Sequence, residues 1–170
     1  MGQFGPLEIL AQKPALLYRA IELPGKPALY ANLEQTEENE SAWPLQGHSV
    51  AYQFVDAQTG GRLLVAPDVG EVTDELREAL HTSDAILFDG TFWSADELAR
   101  IKDTARSVKE MGHVTIKDCS LELLRQLPAR HKIYLHINNT NPILLPGSPE
   151  RALVEAAGVM VGVDGFEFEI

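Results

Sequence analysis

A short apolar run, Ala85-Ile86-Leu87-Phe88, most narrows the folds open to this chain because no polar residue interrupts it. A strand with one face in water alternates apolar and polar residues, whereas a strand covered on both faces does not. A short core helix shows the same unbroken pattern. The run therefore indicates an α/β layered fold, with a buried helix as the alternative.

Periodicity and capping signals predict further elements on either side of this run. Val50, Tyr52 and Phe54 alternate ahead of a Gly-rich turn, which is typical of a β-hairpin. Ser94 and Glu97 have the spacing of a capping box, in which two side chains satisfy free backbone N–H groups at a helix start. The predicted elements are a strand at 16–22, a hairpin over 49–65, helices at 73–81, 95–109 and 121–127, a strand at 133–138, a helix that opens at Ser148, and a C-terminal hairpin of 159–163 with 166–170.

The composition favours one globular domain. The chain has 170 residues, of which 45% are hydrophobic, and this is enough to build a buried core. The first 46 residues are rich in Pro and acidic residues, so we expect an irregular or strand-containing lead-in at 1–46. The compact part of the fold is expected over 47–170.

Charge and cysteine content exclude several kinds of partner. Asp plus Glu is 25 and Lys plus Arg is 14, a net charge of −11, and no basic stripe offers a surface for nucleic acid. The sequence contains no signal peptide, and it contains no apolar run of the roughly 20 residues that a membrane helix needs. The single cysteine, Cys119, cannot form an intrachain disulfide, and we expect a buried structural thiol in a protein of the reducing cytoplasm.

Four segments each deliver a polar side chain after an apolar stretch, namely Asp68, Asp89, His113 and His136. Ligands of open α/β sheets bind beyond the carboxyl ends of the strands, so these groups are expected to converge in one crevice. Imidazole nitrogen and carboxylate oxygen are ligands of divalent metal ions. For the two aspartates, capping of turn N–H groups is the alternative interpretation.

His136 differs from the other histidines because it interrupts an apolar strand and precedes Asn138-Asn139-Thr140-Asn141-Pro142. Polar groups that are buried together must be hydrogen-bonded or liganded. His48, His81 and His131 are expected to be solvated or turn residues. The sequence contains no Gly-rich phosphate loop and no Gly-x-Ser-x-Gly elbow, which argues against P-loop, kinase and serine hydrolase functions.

A series of motifs resembles the C-terminal part of the PqqB family, metallo-β-lactamase-fold proteins of pyrroloquinoline quinone biosynthesis. The motifs are Phe88-Asp89-Gly90-Thr91-Phe92-Trp93, Met111-Gly112-His113, His136-Ile137-Asn138-Asn139-Thr140-Asn141-Pro142-Ile143-Leu144 and Ser148-Pro149-Glu150-Arg151. The resemblance covers about residues 47–170, and the Asn-Asn-Thr-Asn-Pro run is its most specific part. It implies that 47–170 form the C-terminal half of an αβ/βα sandwich, with a mixed sheet flanked by helices.

The resemblance also implies a site at the sheet edge. His136 corresponds to a metal ligand of the family, Asp89 and His113 line the same pocket, and Asp68 falls where many relatives place a metal-bridging aspartate. The implied metal is divalent, iron first and zinc second. The candidate metal ligands are His136, His113, Asp89 and Asp68, and the candidate catalytic residues are Asn138, Asn139 and Asn141.

The activity implied is an iron-dependent, oxygen-using hydroxylation of a small or peptide-derived precursor that contains tyrosine. The family's His-x-His-x-Asp-His loop has no counterpart, since His48 is the only histidine before His81, so the site is partial. We expect the chain to need a complementary N-terminal half, or to dimerise through its uncovered sheet face. The alternatives are a non-catalytic binding or assembly module, a quinone cofactor carrier, and a metal-dependent hydrolase.

Overall fold

The computed structural model describes residues 5–6, 16–25, 45–100 and 107–170. The strands are β1 (Gly5–Pro6), β2 (Leu16–Gly25), β3 (Leu45–Asp56), β4 (Arg62–Ala66), β5 (Ala85–Asp89), β6 (His131–Leu135) and β7 (Met160–Val161). The α-helices are α1 (Asp74–His81), α2 (Val108–Met111), α3 (Leu121–Gln126) and α4 (Pro149–Ala156). A π-helical segment (Ile116–Ser120) precedes α3, and a 3-10 helix (Pro142–Leu144) follows β6.

All seven strands belong to one sheet, in the order β1-β2-β3-β4-β5-β6-β7. The pairs from β1 to β4 are antiparallel, whereas those from β4 to β7 are parallel. Parallel neighbours need a crossover connection, and α1 lies in the crossover between β4 and β5. This architecture confirms the predicted α/β class with a mixed sheet and flanking helices.

Strand β5 is covered on both faces, as its unbroken apolar run predicts. Ala85 and Ile86, which point to opposite faces, are both fully buried, and so is Phe88. Ile86 and Phe88 join one core cluster with Leu64 of β4 and Tyr134 of β6. The centre of the sheet is therefore rigidly packed, and it places the residue that ends β5 at a defined position.

Local capping chemistry accounts for two helix starts that the sequence predicts. The hydroxyl of Thr73 accepts the N–H of Leu76 at 3.2 Å at the start of α1. The hydroxyl of Ser148 accepts the N–H of Arg151 at 3.1 Å, and Pro follows it in the first turn of α4. Among the described residues, no helix has the length and apolar character to cross a bilayer.

The lead-in contributes strands to the same sheet. β2 pairs with β3 from Leu16 opposite Asp56 to Gly25 opposite Leu45, which confirms the predicted strand at 16–22 and extends it. β3 and β4 form the predicted hairpin, with Gly60 at φ +79 in the turn. The acidic run at 34–40 lies outside the described residues.

The predicted helix at 95–109 is wrong over residues 95–100, and only its last residues coincide with a helix. Residues 95–100 form turns, 101–106 lie outside the described residues, and α2 begins only at Val108. The reason is that the side chains of Ser94 and Glu97 bind other groups and do not form a capping box. Ser94 donates its hydroxyl to the side chain of Asp96, and Glu97 accepts the N–H of Trp93 at 2.6 Å.

Two strand predictions also need correction. Strand β6 ends at Leu135, not at 138, because the backbone of His136 turns into the left-handed region. The predicted C-terminal hairpin is absent from the described residues, since β7 pairs parallel with β6 and residues 166–170 form no strand. Phe168 instead packs its ring 5.0 Å from that of His131.

We expect Leu64→Ala to lower the free energy of unfolding by about 2–5 kcal/mol, because the side chain is fully buried and its loss leaves a cavity. Urea denaturation followed by circular dichroism measures the change. Leu145→Ala is the matched control: Leu145 is 64% exposed, and its truncation should cost less than about 0.5 kcal/mol. Equal effects of the two substitutions would contradict the described core.

Candidate metal centre

Three strand ends bring candidate ligands to one edge of the sheet. Strands β4, β5 and β6 run parallel, and Asp68, Asp89 and His136 lie at or just beyond their carboxyl ends. His113 follows α2 in the chain and reaches the same edge, where its ring contacts Asp89. The structure thus brings together the four residues predicted as metal ligands.

The carboxylate of Asp89 is fully buried and hydrogen-bonded on both oxygens. Its Oδ1 accepts the N–H of Thr91 at 2.9 Å and the hydroxyl of the same residue. Its Oδ2 accepts the N–H of Val69 at 2.9 Å and lies 2.8 Å from Nδ1 of His113. A carboxylate has about four acceptor sites, so these four donors replace the water that burial removes.

His113 is held between Asp89 and an aromatic ring. Its side chain is 10% exposed, and Phe92 packs edge-on with the ring centres 5.7 Å apart. An ionised carboxylate can only accept hydrogen bonds. Nδ1 of His113 therefore carries a proton, and this N–H donates to Asp89. Burial by itself lowers the pKa of His113, but the hydrogen bond and charge of Asp89, together with the charge of Asp68, outweigh it and raise this pKa above its ordinary value.

His136 is the first residue after β6 and adopts a left-handed backbone with φ +56. This conformation costs a non-glycine residue about 1 kcal/mol, so surrounding contacts must maintain it. Its Nδ1 lies 2.9 Å from the carbonyl oxygen of Pro67 and 3.1 Å from the hydroxyl of Thr91. A carbonyl only accepts, hence Nδ1 donates and Nε2 retains a lone pair on an exposed ring.

The chemistry of this donor set fits a divalent metal ion. Asp89, His113 and His136 each offer one ligand atom, and these atoms lie within 4.8 Å of one another. Two imidazole nitrogens and one carboxylate oxygen suit zinc and non-haem iron(II) alike. Asp68 adds a second carboxylate, 48% exposed, with Oδ1 at 3.5 Å from Nδ1 of His113 and Oδ2 accepting the Ser49 hydroxyl at 2.8 Å.

Asn141 anchors the loop that follows His136. Its side chain is 1% exposed and donates to the carbonyl oxygens of Gly90 and Thr91 at 2.9 and 3.3 Å. Its Oδ1 accepts the N–H of Ile143 at 3.1 Å, which caps the 3-10 helix. These contacts are all to the backbone, so the structure gives Asn141 a positioning role.

The other two candidate asparagines lie in the same loop. Asn138 donates its backbone N–H to the carbonyl of Thr91 at 3.1 Å and its side-chain amide to Thr140 at 2.9 Å. Asn139 is exposed. Catalytic roles for Asn138, Asn139 and Asn141 stay a prediction.

Thr91 is a site residue that the sequence reasoning missed. Besides its two bonds to Asp89, its hydroxyl lies 3.0 Å from the carbonyl oxygen of His136. It therefore joins the end of β5 to the residue that follows β6. Its place two residues after Asp89, as in an Asx-type turn, is the one local signal that points to it.

Glu97 is a second residue with an unforeseen role. It is 6% exposed, and its carboxylate accepts the hydroxyl of Thr140, 43 residues away in the chain, in addition to the N–H of Trp93. It thereby connects the segment after β5 to the loop that follows His136 and contains Asn138, Asn139 and Asn141, called the asparagine loop below. No local pattern identifies such a partner, since the contact exists only after the strands have paired.

The remaining histidines and the cysteine lie apart from this cluster. His48 and His81 are exposed, which agrees with the expected solvated positions. His131 opens β6 and is half-buried, and its Nε2 is buried without a hydrogen-bond partner among the described residues. Burial raises the pKa of Cys119, which lies partly buried in the π-helical segment, so it remains a thiol at neutral pH.

A family model, the β-lactamase superfamily domain, matches residues 23–137, a range that contains all four candidate ligands. Coenzyme PQQ synthesis protein B of Pseudomonas putida W619 is 42% identical over 129 residues, which are 75% of this chain and 43% of that protein. The protein of the same name from Cupriavidus necator is 37% identical over 129 residues, covering 75% of this chain and 42% of that protein. The chain thus spans less than half the length of the curated relatives it matches.

Solved structures agree with this match. The crystal structure described as Zn²⁺-bound PqqB from Methylobacterium extorquens has a TM-score of 0.81 at 31% identity, and the match covers 92% of this chain and 51% of that one. A diphosphatase of the PhnP family has a TM-score of 0.55 at 16% identity, covering 100% of this chain and 48% of that one. At this lower identity the likeness concerns the fold alone.

Asn141→Ala should lower the free energy of unfolding by about 1–3 kcal/mol, because the carbonyl of Gly90 loses this side-chain donor, the carbonyl of Thr91 keeps only the N–H of Asn138, and the 3-10 helix loses its cap at the N–H of Ile143. Chemical denaturation measures the change. Asn139→Ala, at an exposed position of the same loop, is the control and should cost less than about 0.5 kcal/mol. A neutral Asn141→Ala would show that the loop is held by other contacts.

Proposed function

Because the chain belongs to the β-lactamase superfamily domain family and is a PqqB-like protein of metallo-β-lactamase fold, we propose that it acts in pyrroloquinoline quinone biosynthesis with a divalent metal ion at its sheet edge. The observation that carries this proposal is the convergence of Asp89, His113 and His136 at the carboxyl ends of the parallel strands. These three side chains come from separate segments of the chain and meet at one partly exposed edge of the sheet.

The ion we propose is iron, and the substrate is a peptide-derived precursor that contains tyrosine. Two imidazoles and a carboxylate are the protein donors that many non-haem iron oxygenases use, with further coordination positions left open. Bound iron would supply the activation of dioxygen for hydroxylation of the substrate. The residues of this chain hold and orient the imidazoles, and the exposed His136 and half-exposed Asp68 leave this edge open for a substrate to approach.

The remaining ligands we assign to a complementary half that carries a His-x-His-x-Asp-His loop, since the donors in this chain make up part of such a site. Length supports this assignment, because the PqqB structure from Methylobacterium extorquens is matched over only 51% of its chain. A complex of the two halves is therefore the form in which we expect activity. The partner in that complex is a polypeptide, not a nucleic acid.

His136→Ala should weaken metal binding by about 100-fold or more, since it removes a proposed ligand and even loss of an outer-shell partner costs 10–100-fold. The metal-free complex with the complementary half of a relative is titrated with Zn²⁺, and with Fe²⁺ under nitrogen, by calorimetry. His81→Ala removes an exposed histidine at the end of α1 and is the matched control. Failure of the wild-type complex to bind either ion would refute the metal site.

The iron-loaded complex should consume dioxygen when a tyrosine-containing peptide is present, and His136→Ala should abolish that uptake while His81→Ala leaves it unchanged. An oxygen electrode follows the reaction, and mass spectrometry detects the added oxygen in the peptide. The competing function is a metal-dependent hydrolase, which uses the same ligand types to activate water. Turnover of phosphodiester or ester substrates without dioxygen, and no uptake with the peptide, would favour that competitor.

A further inference from the structure

We propose that residues 166–170, with the sequence Phe-Glu-Phe-Glu-Ile, are a β-strand that pairs with an edge strand of the complementary half. The segment lies across one face of the sheet, and its pairing seats a second sheet on that face. The inference rests on the proposed function, which assigns the missing ligands to such a half. It adds the surface through which the two chains bind.

The alternation of residue types in this segment is typical of a strand with one face in water. Phe166, Phe168 and Ile170 are apolar, and Glu167 and Glu169 between them are acidic. In the structure the rings of Phe166 and Phe168 lie 5.8 Å apart. Residues two positions apart share a side of a strand, but they do not face each other on a helix. The two phenylalanines are thus arranged as in a strand, although the segment is not hydrogen-bonded into one.

The backbone of the segment has hydrogen-bonding groups to offer to another chain. Phe166 donates its N–H to the carbonyl of Val163 at 3.3 Å, and within the described ranges residues 167–170 make no backbone–backbone hydrogen bond. In a sheet these groups pair with a neighbouring strand, and a strand with unpaired groups is a template for one from another chain. Such strand addition is a recurring way in which proteins bind a polypeptide segment.

The apolar side chains of the segment lie against one face of the sheet. The ring of Phe168 is 5.0 Å from that of His131 on β6, and Ile170 lines a cavity of about 450 Å³ with Phe54 of β3 and Leu63 of β4. His131, Leu63 and Phe54 stand in one row across the paired strands, so their side chains share this face. The segment therefore lies over the strands, as a strand of a second layer does, and not beside β7 as a further strand of the same sheet.

This face of the sheet, called the open face below, is apolar and partly uncovered. Tyr52 is 40% exposed, and its ring lies 6.4 and 6.2 Å from those of Tyr18 and Phe54 on the same face. Helices α1, α3 and α4 join the core cluster on the opposite face, where Leu64 and Ile86 lie. The partly buried apolar side chains of the open face are Tyr18, Phe54, Leu63, Val65 and Leu87. A contiguous apolar surface of this kind marks an interface with another protein.

The charge of the segment disfavours a second copy of this chain as the partner strand. Residues directly opposite each other in a sheet lie on the same face, so any register that joins the apolar faces of two copies sets glutamates opposite glutamates. Like charges in that position are destabilising, whereas a strand that alternates apolar with basic or uncharged polar residues has no such cost. We assign that strand to the complementary half, because the match to the PqqB structure covers 92% of this chain and only 51% of that one.

Amide hydrogen exchange of residues 167–170 tests the pairing directly. The chain is co-expressed with the complementary half of a relative, and NMR follows exchange in the metal-free complex and in the chain alone. We expect fast exchange in the chain alone and, in the complex, slowing by about 100-fold or more at alternate residues at least, since a strand directs every second N–H to one neighbour. The amides of Ile86 and Leu87 in β5, which is paired with β4 and β6 in both states, are the internal reference. A complex with this segment unprotected, or no complex at all, would overturn the proposal.

Phe168→Ala tests the contact between the segment and the open face. It removes the ring that packs on His131 and should raise the dissociation constant of the two chains by about 10–100-fold, measured by calorimetry. Leu145→Ala is the matched control, because it truncates an apolar side chain that is 64% exposed outside the open face, and it should leave this constant within about threefold. Equal effects of the two substitutions would contradict the described surface. Should Phe168→Ala not fold, which the β5 amides report, the exchange of the wild-type segment decides.

The same measurements separate this proposal from the proposed function. A complex with a protected segment that binds neither Zn²⁺ nor Fe²⁺ would refute the metal site and uphold the strand. A complex that binds Zn²⁺ while residues 167–170 stay unprotected would refute the strand and uphold the metal site. A dimer of this chain alone with protected amides in the segment would identify a second copy as the partner and overturn the proposal.

Discussion

The arrangement of the site depends on one buried anion. Asp89 ends the central strand β5, and its carboxylate collects donors from the segment after β4, from its own turn and from His113. An ionised carboxylate that is fully buried is stable only while such donors surround it, so the three chain segments are held together by the cost of leaving it unpaired. The carboxylate at the end of β5 thus fixes the positions of the segments that form this edge of the sheet.

Two further contacts extend this organisation to the asparagine loop. Asn141 connects the backbone after β5 to the 3-10 helix by hydrogen bonds, and the carboxylate of Glu97 accepts the hydroxyl of Thr140. Loops at the ends of parallel strands are often where ligands bind, and they need such anchoring because no sheet hydrogen bonds restrain them. Thr140 and Asn141 therefore hold this loop in its conformation.

Features whose cause lies nearby in the chain could be predicted from the sequence. The unbroken run of β5, the cap at Thr73 and the Ser-Pro start of α4 each depend on residues within a turn of one another. Two of the candidate ligands, Asp89 and His136, could also be predicted from the sequence, because each follows an apolar run. What escaped prediction depends on distant partners: the capping-box spacing at Ser94 and Glu97 is present, yet Glu97 bonds to Thr140 and no helix starts there.

The left-handed backbone of His136 sets stability against function at this position. Glycine adopts that conformation without strain, whereas histidine does not. Replacement of His136 by glycine would therefore relieve the backbone strain, but it would also remove a candidate ligand. Residues kept in such conformations are common at functional sites, where the surrounding contacts carry the strain. A substitution of His136 by glycine would therefore relieve backbone strain at the end of β6 and remove the imidazole in the same step.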